Sequence, residues 1–313
     1  MSRISTATIN VPLTTYARGI MQDRLAAFRL ANLICPIVPV FAAIGTYKKF
    51  DDRNAFLPED SARGMGGPRK RIAHEATDGK YACTPHGLEI PVDDFEVDLA
   101  GGENPIANQL LSQGKMATLL SKKATGYAQR VTQFVFANLA PVANMGQFSS
   151  PDIDPIDQID EQLDSLSTDI STTENVNVIM STSVWKAVRQ NDKVKKRLGI
   201  RDGVSLTRQN LMDGLLYPVN LEISGVVAAT SKRGQNGVVK QQLFGGYLLI
   251  VHTMPTPTID DASAFKCFST SSVLVDSVKT YREENSVSDI HALDWSEDIE
   301  LTGSTCARLL KIT

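Results

Sequence analysis

The longest helical pattern in the sequence runs from Asn104 to Asn138, and it constrains the fold more than any other feature. Asn104 can cap a helix, and Pro105 suits the first helical position, where a missing N–H costs nothing. At about 1.5 Å per residue such a helix reaches roughly 50 Å, which is longer than a small domain is wide. The sequence therefore predicts a spine helix along which other elements are arranged.

The spine helix is predicted to bury one face. Apolar residues recur at spacings of three or four, except where Gln113 interrupts; they are Ile106, Leu110, Ala117, Leu120, Ala124, Tyr127, Val131, Phe134 and Val135. The opposite face is predicted to expose Gln109, Lys115, Lys122, Lys123 and Arg130. Gly114 and Gly126 each weaken a helix by about 1 kcal/mol relative to Ala. We expect an unbroken helix that ends near Asn138, because Pro141 follows.

Size and charge limit the classes of protein to which this chain can belong. At 313 residues it is long enough for about two domains, and its 42% hydrophobic content is enough for ordinary cores. The 32 basic and 35 acidic residues give a net charge of −3. We therefore expect no sequence-independent grip on nucleic acid by the surface as a whole.

The sequence indicates a soluble chain in a reducing compartment. The longest apolar run, 33–44, contains Pro36 and Pro39 and is too short and too broken to span a membrane. The N-terminus lacks the basic and apolar blocks of a signal peptide. The cysteines are far apart and form no C-x-x-C pair, which predicts reduced thiols and no structural zinc site; they are Cys35, Cys83, Cys267 and Cys306.

Two segments have too little periodic apolar surface to form a core alone. Residues 1–32 combine a short alternating pattern with a short helical one, and we predict an N-terminal arm. Residues 46–91 are rich in Gly, Pro, Lys, Arg and Asp, and so long a loop in a compact domain is usually functional. We predict a two-stranded hairpin with its tip near 64–68, resting on a partner because an isolated hairpin is marginal in water. Between the two segments, 33–41 predicts an edge strand interrupted by prolines.

The rest of the chain predicts mixed α and β structure. Residues 92–99 alternate like a strand, and Asp154 with Pro155 begins a second amphipathic helix. The predicted buried face of this helix is Ile156, Ile159, Leu163, Leu166 and Ile170. Strands and helices alternate over 175–251 like a compact α/β unit. Residues 273–312 predict three or four strands, which could form a sheet under the spine helix.

Three patterns resemble chemical sites but are better explained as structure. Ser112 and Lys115 match S-x-x-K, yet the S-D-N and K-T-G companions of that enzyme class are absent. An aspartate cluster lacks the Gly and Glu of a calcium-binding loop, which favours helix capping and a solvated face; its members are Asp152, Asp154, Asp157, Asp160 and Asp164. The glycines of 64–67 lack the strand–turn–helix context of a phosphate site. Because the histidines also show no H-x-x-x-H spacing, we predict no enzyme, no metal site and no cofactor.

Basic residues near the predicted hairpin tip are the candidate inter-subunit contacts. They are Arg63, Arg69, Lys70 and Arg71. The run 69–71 could touch DNA, but three charges are few, and the alternative is a contact with an acidic patch on a neighbouring subunit. We favour the neighbouring subunit.

Taken in order, these segments resemble the major capsid proteins of tailed bacteriophages with the Hong Kong 97-type fold. The resemblance covers nearly the whole chain. It depends on the order and spacing of the edge strand, the long loop and the spine helix, followed by the sequences at 152–159, 178–185, 194–198, 211–216, 219–221, 244–251 and 280–284.

The resemblance implies an α+β fold with four parts. These are an N-terminal arm (1–32), an extended loop (46–91), a peripheral domain (33–45, 92–151 and 273–313, with the spine helix 104–138) and an α/β axial domain (152–272). It also implies that the extended loop lies over the adjacent subunit, and that hexamers and pentamers form an icosahedral shell around double-stranded DNA.

The resemblance also implies partners. The shell would contain copies of this chain, a portal and, where present, decoration proteins, and it would enclose DNA without sequence-specific binding. Some members begin with a helical scaffolding region, whereas here we expect a separate scaffolding protein, with assembly into a virion capsid in the host bacterial cytoplasm. Some members crosslink Lys to Asn, but no motif maps that chemistry onto Lys48 or Lys49, and we expect no crosslink. The alternative is the shell of an encapsulin-type nanocompartment, which has the same fold.

Overall fold

The computed structural model describes residues 7–23, 25–49, 61–69, 71, 77–102, 104–143, 145–201, 204–229, 237, 239–271 and 277–312. Its helices are α1 (Val11–Asp23), α2 (Ala26–Ile34), α3 (Asp94–Ala100), α4 (Pro105–Asn138), α5 (Pro155–Ile170), α6 (Thr182–Gln190), α7 (Asp192–Arg197) and α8 (Arg208–Asp213).

The strands begin with β1 (Thr8–Ile9), β2 (Ile37–Pro39), β3 (Ile44–Lys48), β4 (Asp78–Ala82) and β5 (Thr84–Asp93). The middle of the chain contains β6 (Val176–Ser181), β7 (Asn220–Ser224), β8 (Val227–Ala229), β9 (Lys240–Gln242) and β10 (Tyr247–His252). The last strands are β11 (Phe265–Ser269), β12 (Val278–Glu283), β13 (Ser288–Leu301) and β14 (Ala307–Lys311).

The spine helix α4 is unbroken over its 34 residues, as the sequence predicted. The Asn104 side chain accepts a hydrogen bond from the Ile106 amide at 3.0 Å, which confirms the N-cap. The predicted buried face is wrong over the first two turns, because Ile106 and Leu110 are exposed. Burial begins at Met116, where α1 lies against the helix. The predicted exposed face is wrong at Lys123, which is buried.

The N-terminal segment packs on the spine helix of its own chain. Leu13, Ala17 and Ile20 of α1 form a cluster with the apolar residues of α4 between Met116 and Ala124. The sequence predicted an arm over 1–32 with too little apolar surface to form a core alone. Residues spaced by three and four along α1 give it an apolar stripe, which packs on α4.

One sheet of six strands lies against the spine helix. Its order is β1-β12-β13-β11-β2, and β5 also pairs with β13. The first part of β13 lies between β12 and β5, whereas its last residues pair with β11. Strand β2 runs parallel to β11 at the edge, which confirms the edge strand predicted over 33–41.

The extended loop is shorter than the sequence predicted, because β5 belongs to the six-stranded sheet. Residues 84–91 lie in the six-stranded sheet, so the extended loop ends before Thr84 rather than at residue 91. The strand predicted over 92–99 is also wrong, since α3 begins at Asp94. Its N-cap is Asp93, which accepts from the Phe95 amide, while Glu96 accepts from the Asp93 amide. This reciprocal capping stabilises the helix start.

A second sheet, in the order β14-β10-β6-β7, forms the centre of the middle part of the chain. All six residues of β6 are buried. Helix α5 packs nearby, with Asp154 as its cap and all five predicted face residues buried. Sheet membership departs from the expected domain division in two places. Strand β11, expected in the axial part, joins the six-stranded sheet, and β14, expected in the peripheral part, joins the four-stranded one.

Candidate assembly surfaces

Strands β3 and β4 form a hairpin whose root is fixed to the body of the chain. Tyr47 and Tyr81 pack on Phe268, with ring centroids 5.1 and 4.6 Å apart. Each tyrosine also covers a glycine of the opposite strand. A Cβ added at Gly45 would lie 2.3 Å from the Tyr81 hydroxyl oxygen, and one added at Gly79 would lie 2.2 Å from the Tyr47 ring. Only glycine therefore fits beneath the rings. We call β3, β4 and Phe268 the hairpin root.

Polar contacts fix the direction in which the root leaves the sheet. The Tyr47 hydroxyl donates to Glu300 at 3.3 Å, and the Ala82 amide donates to Asp298 at 2.6 Å. The Lys48 amide donates to Asp260 at 3.0 Å. Burial, together with the charge of Asp298, raises the pKa of Glu300. Asp298 and Glu300 belong to the last residues of β13, so β3 and β4 lie at that end of the strand.

Between Lys49 and Thr77 the structure describes residues 61–69 and Arg71, which we call the hairpin tip. A tight turn forms where the sequence predicted the tip, with the Gly67 amide donating to the Gly64 carbonyl at 3.0 Å. Gly66 has a φ of 76°, which glycine adopts without strain. The Met65 side chain is fully exposed at this turn.

The candidate contact residues lie at this tip. Arg63, Arg69 and Arg71 are exposed, and the Arg63 guanidinium donates to the Gly67 carbonyl at 3.2 Å. Lys70 lies outside the described residues. The structure thus places the three described arginines in one short segment, and their role as inter-subunit contacts stays a prediction.

A second unpartnered surface lies at the opposite end of β13 and was missed in the sequence. We call it the acidic corner: Asp93, α3, the first two turns of α4 and residues 283–289. Its large apolar side chains are 63 to 74% exposed; they are Phe95, Leu99, Ile106 and Leu110. Val287, in the turn before β13, is 52% exposed and accepts the Asp94 amide on its carbonyl.

The acidic corner is negatively charged. Its acids are Asp93, Asp94, Glu96, Asp98, Glu283, Glu284 and Asp289. Two basic groups pair with some of them: Arg282 lies 2.5 Å from Asp94, and Lys115 lies 2.6 Å from Glu96. These hydrogen bonds lower the pKa values of Asp94 and Glu96. Both carboxyl groups therefore remain ionised at neutral pH.

A buried charged cluster lies between the spine helix and the six-stranded sheet. The Lys123 ammonium lies 4.1 Å from the centroid of the Trp295 ring, a cation–π contact. Glu297 accepts from Arg130 Nε at 2.5 Å and from Trp295 Nε1 at 3.1 Å. Burial lowers the pKa of Lys123 to about 8. The adjoining cavity of about 20 Å³ has room for about one water molecule, which excludes a substrate site there.

The other sequence patterns have structural explanations. The Lys115 amine is ion-paired with Glu96, which makes it unsuitable as the base of an S-x-x-K site with Ser112. Within the aspartate cluster, the Arg197 guanidinium lies 3.0 Å from both Asp157 and Asp160. Arg197 therefore supplies the positive charge that a bound cation would have supplied.

Within the described part of the chain, no three His, Cys, Asp or Glu side chains converge as metal ligands would. All four cysteines are free thiols, as predicted. None of the helices in the described ranges combines the length and hydropathy that a membrane-crossing segment needs.

Comparison with known sequences identifies a phage relative. No protein-family model matches the chain. The major capsid protein of Pseudomonas phage JBD67 is 26% identical over 166 residues, which are 50% of this chain and 50% of that protein. The matched region therefore spans about half the length of the relative.

Solved structures resemble the chain over almost its whole length. A phage-related protein from Bordetella bronchiseptica RB50 has a TM-score of 0.75 at 18% identity, covering 98% of each chain. A putative prophage capsid protein from E. coli CFT073 has a TM-score of 0.55 at 12% identity, covering 99% of this chain and 100% of that one. The SrpI encapsulin of Synechococcus elongatus has a TM-score of 0.52 at 14% identity, covering 91% and 87%. The chain therefore has the Hong Kong 97-type capsid fold, and the predicted resemblance to the major capsid proteins of tailed bacteriophages is confirmed.

Proposed function

We propose that this chain is a major capsid protein, whose copies form hexamers and pentamers that close into an icosahedral shell around a phage genome of double-stranded DNA. The fold and the sequence match to a phage capsid protein support this function. The observation that carries the proposal is the hairpin: its root is fixed by Phe268, Glu300 and Asp298, whereas its tip exposes Met65.

The physical reason is the cost of an unpartnered hairpin. A two-stranded hairpin is at best marginally stable in water, so a long one gains order by burying its surface on another molecule. In an assembly of this chain, a second copy is available as the molecule on which the hairpin is buried. Under this proposal the subunit acts by contact with its neighbours, without a catalytic step, metal or cofactor.

The net charge of −3 fits enclosure of DNA rather than tight binding, because an acidic subunit as a whole repels phosphate. The proposal includes a portal and a separate scaffolding protein as further partners, and decoration proteins where the particle has them. It places assembly in the host bacterial cytoplasm and the finished protein in the virion.

Electron microscopy and native mass spectrometry of the purified protein test this function. We expect pentamers, hexamers or closed shells, with closure improved by a scaffolding protein. A protein that stays monomeric at every concentration, with and without the scaffold, contradicts the proposal. Deleting residues 60–72 should leave a soluble, folded subunit that fails to close shells. Failure of this variant to fold would show that the segment belongs to the subunit core.

The second candidate function is a nanocompartment shell, which the similarity to the SrpI encapsulin favours. The two candidate functions differ in what the particle contains. Particles from the native lysate should contain nuclease-protected double-stranded DNA if the chain is a phage capsid protein. Small particles without DNA that co-purify with a cargo enzyme would instead establish the nanocompartment.

A further inference from the structure

Positive charge is concentrated on α6, on α7 and just after them. Residues 182–201 include seven basic residues and one acidic residue, in a chain whose net charge is −3. The acidic side chain, Asp192, lies 3.2 Å from Lys195. Four of the basic side chains are exposed and have no ion-pair partner among the described residues; they are Lys186, Arg189, Lys196 and Arg201. This surface therefore has an excess of unpaired positive charge.

A groove of about 610 Å³ is lined by residues of α6, of α7 and of the segment after α7. Its volume lies within the range of roughly 300 to 1,000 Å³ that is usual for ligand sites. The side chains that give it its charge and its aromatic surface are Trp185, Lys186, Arg189 and Lys195. We call these four residues the basic groove.

The core fixes the direction in which α6 presents its groove residues. Val184 and Val188 are fully buried and lie one turn apart, so they define the inner face of the helix. Trp185 and Arg189 each follow one of these valines by one position, which is a rotation of about 100° around the helix. They too lie one turn apart, on a face that leaves the core.

The buried side chain of Asn191 fixes the junction between α6 and α7. It accepts a hydrogen bond from the Lys193 amide at 2.9 Å and so caps the start of α7. Its amide group donates to the carbonyls of Phe148 and Ile153 at 3.0 and 3.1 Å. The two helices that line the groove are therefore held at a set angle before any ligand arrives.

Trp185 adds a hydrogen-bond donor to the cations. Its ring packs partly against the core, and its indole N–H has no hydrogen-bond partner among the described residues. Phosphate oxygens accept hydrogen bonds from such donors and pair with Lys and Arg. An aromatic side chain in a positively charged groove is typical of nucleic-acid-binding surfaces. Four unpaired cations along two helices fit an extended polyanion better than a single small anion.

We propose that the basic groove binds the phosphate backbone of double-stranded DNA without reading its sequence. Lys186 and Arg189 pair with phosphates, and the Trp185 indole N–H donates to a phosphate oxygen. The inference rests on the proposed function, which supplies the DNA and requires the groove to face the interior of the shell. The negative charge of the whole chain does not prevent this contact, because charges more than about 10 Å away are largely screened at 0.1 M salt.

Fluorescence anisotropy of a short labelled DNA duplex with the unassembled full-length chain tests the groove. Lys186→Ala with Arg189→Ala should weaken binding at least tenfold, equally for duplexes of unrelated sequence. The slope of log affinity against log salt concentration should become shallower by about 2, one for each lost phosphate contact. Thermal unfolding should be unchanged, because both side chains are exposed.

The matched control is Lys122→Ala with Lys311→Ala, which removes the same charge from exposed positions outside the groove. This variant should bind DNA within about twofold of wild type. An equal loss of affinity in the two variants would show that only the net charge matters, and would overturn the groove assignment. Poly-L-glutamate that binds as tightly as DNA, with the same dependence on Lys186 and Arg189, would overturn it in favour of an acidic protein segment.

Tryptophan fluorescence gives a readout from inside the groove. The chain has two tryptophans, Trp185 and Trp295. DNA should quench the emission of the wild type and leave that of Trp185→Phe unchanged, since Trp295 lies in the cluster between the spine helix and the six-stranded sheet. Quenching that persists in Trp185→Phe would place the DNA elsewhere and overturn the proposal.

Closed, empty shells separate this inference from the proposed function. DNA added outside such shells should leave the Trp185 emission unchanged, because the groove faces inward. Quenching would place the groove on the outer surface and overturn its contact with the enclosed genome, while the capsid function would stand. A chain that never assembles overturns the proposed function, whereas the anisotropy of unassembled subunits decides DNA binding by the groove separately.

Discussion

The four-stranded sheet and the β3–β4 hairpin differ in where their side chains find partners. In β6 and β10, eleven of the twelve residues are buried within the same chain, and β14 and β7 flank the two strands. The hairpin is anchored by Tyr47 and Tyr81 at its root, and it exposes Met65 and the arginines at its tip. The side chains of the sheet find their partners within one subunit, whereas the described residues of the tip expose theirs.

This difference separates folding from assembly within one sequence. Substitutions in the four-stranded sheet should act on the free energy of unfolding of the subunit. Substitutions at the hairpin tip should act on the association of copies and leave the subunit folded. Substitutions in the hairpin root should have an intermediate effect, because the root contacts its own chain through only a few residues.

We expect the largest effect from an aspartate placed in the four-stranded sheet, and the same substitution at the hairpin tip is its control. Leu249→Asp buries a carboxylate in β10, where the native side chain is 0% exposed. An unpaired buried charge costs several kcal/mol, a large part of the total stability of a domain. We expect no cooperative thermal unfolding transition by circular dichroism.

Met65→Asp is the matched control at the tip. We expect it to change the free energy of unfolding by less than about 0.5 kcal/mol, while it reduces the yield of assembled material in sedimentation. A subunit that unfolds in response to Met65→Asp would show that the tip packs on its own chain.

At the root, Tyr81→Ala removes a ring stacked 4.6 Å from Phe268. Loss of a buried aromatic side chain costs about 4 kcal/mol. We expect this cost to appear as local opening of β3 and β4, with roughly thousandfold faster amide exchange there and little change in the four-stranded sheet. Tyr81→Phe keeps the ring and should exchange like the wild type. Equal acceleration in β6 and β10 would mean that the root and the core unfold together.

The buried Lys123 of the spine helix, which faces the six-stranded sheet, predicts that the stability of the chain depends on pH. Its pKa is about 8 in the folded chain and near the ordinary 10.5 in the unfolded one. Between these values the unfolded state binds more protons, so this residue makes the free energy of unfolding rise with pH. At about 1.4 kcal/mol per pKa unit the rise is about 3 kcal/mol.

Denaturant unfolding from pH 7 to pH 10.5 measures this rise as the difference between wild type and Lys123→Met. The variant should lack the Lys123 contribution, while the groups common to both proteins cancel. If the free energy of unfolding changes with pH in the same way in both proteins, Lys123 has the same pKa in the folded and unfolded states.

The smallest expected effect concerns the start of the spine helix. Asn104→Ala removes the cap of α4 and should lower the free energy of unfolding by about 1 kcal/mol. Asn104→Asp, which keeps an acceptor oxygen, is the control and should restore most of the stability. If both variants melt like wild type, the first turns of α4 are held by other contacts.

Local signals in the sequence predicted local structure well. The cap at Asn104 and the buried face of α5 depend on residues within a few positions of each other, and both were confirmed. Helix α3 was not predicted, although its signal is also local. The alternation over 92–99 resembled a strand, but Asp93 and Glu96 have the spacing of a capping box.

Features that depend on distant residues could not be predicted from the sequence. The burial of Lys123 depends on Trp295, and the sheets chosen by β11 and β14 depend on pairings across the chain. The acidic corner was missed because apolar residues at helical spacing, such as Ile106 and Leu110, are normally buried. The hairpin tip could be predicted because its glycines and its lack of periodicity are local features.

The most direct test is a high-resolution electron cryomicroscopy map of assembled particles, in which residues 61–71 of each copy can be traced. The account predicts that this segment lies on a neighbouring copy, with Met65 covered. Density that follows the segment back onto its own subunit, with Met65 packed against its own core, would contradict the claim that copies of the chain complete one another.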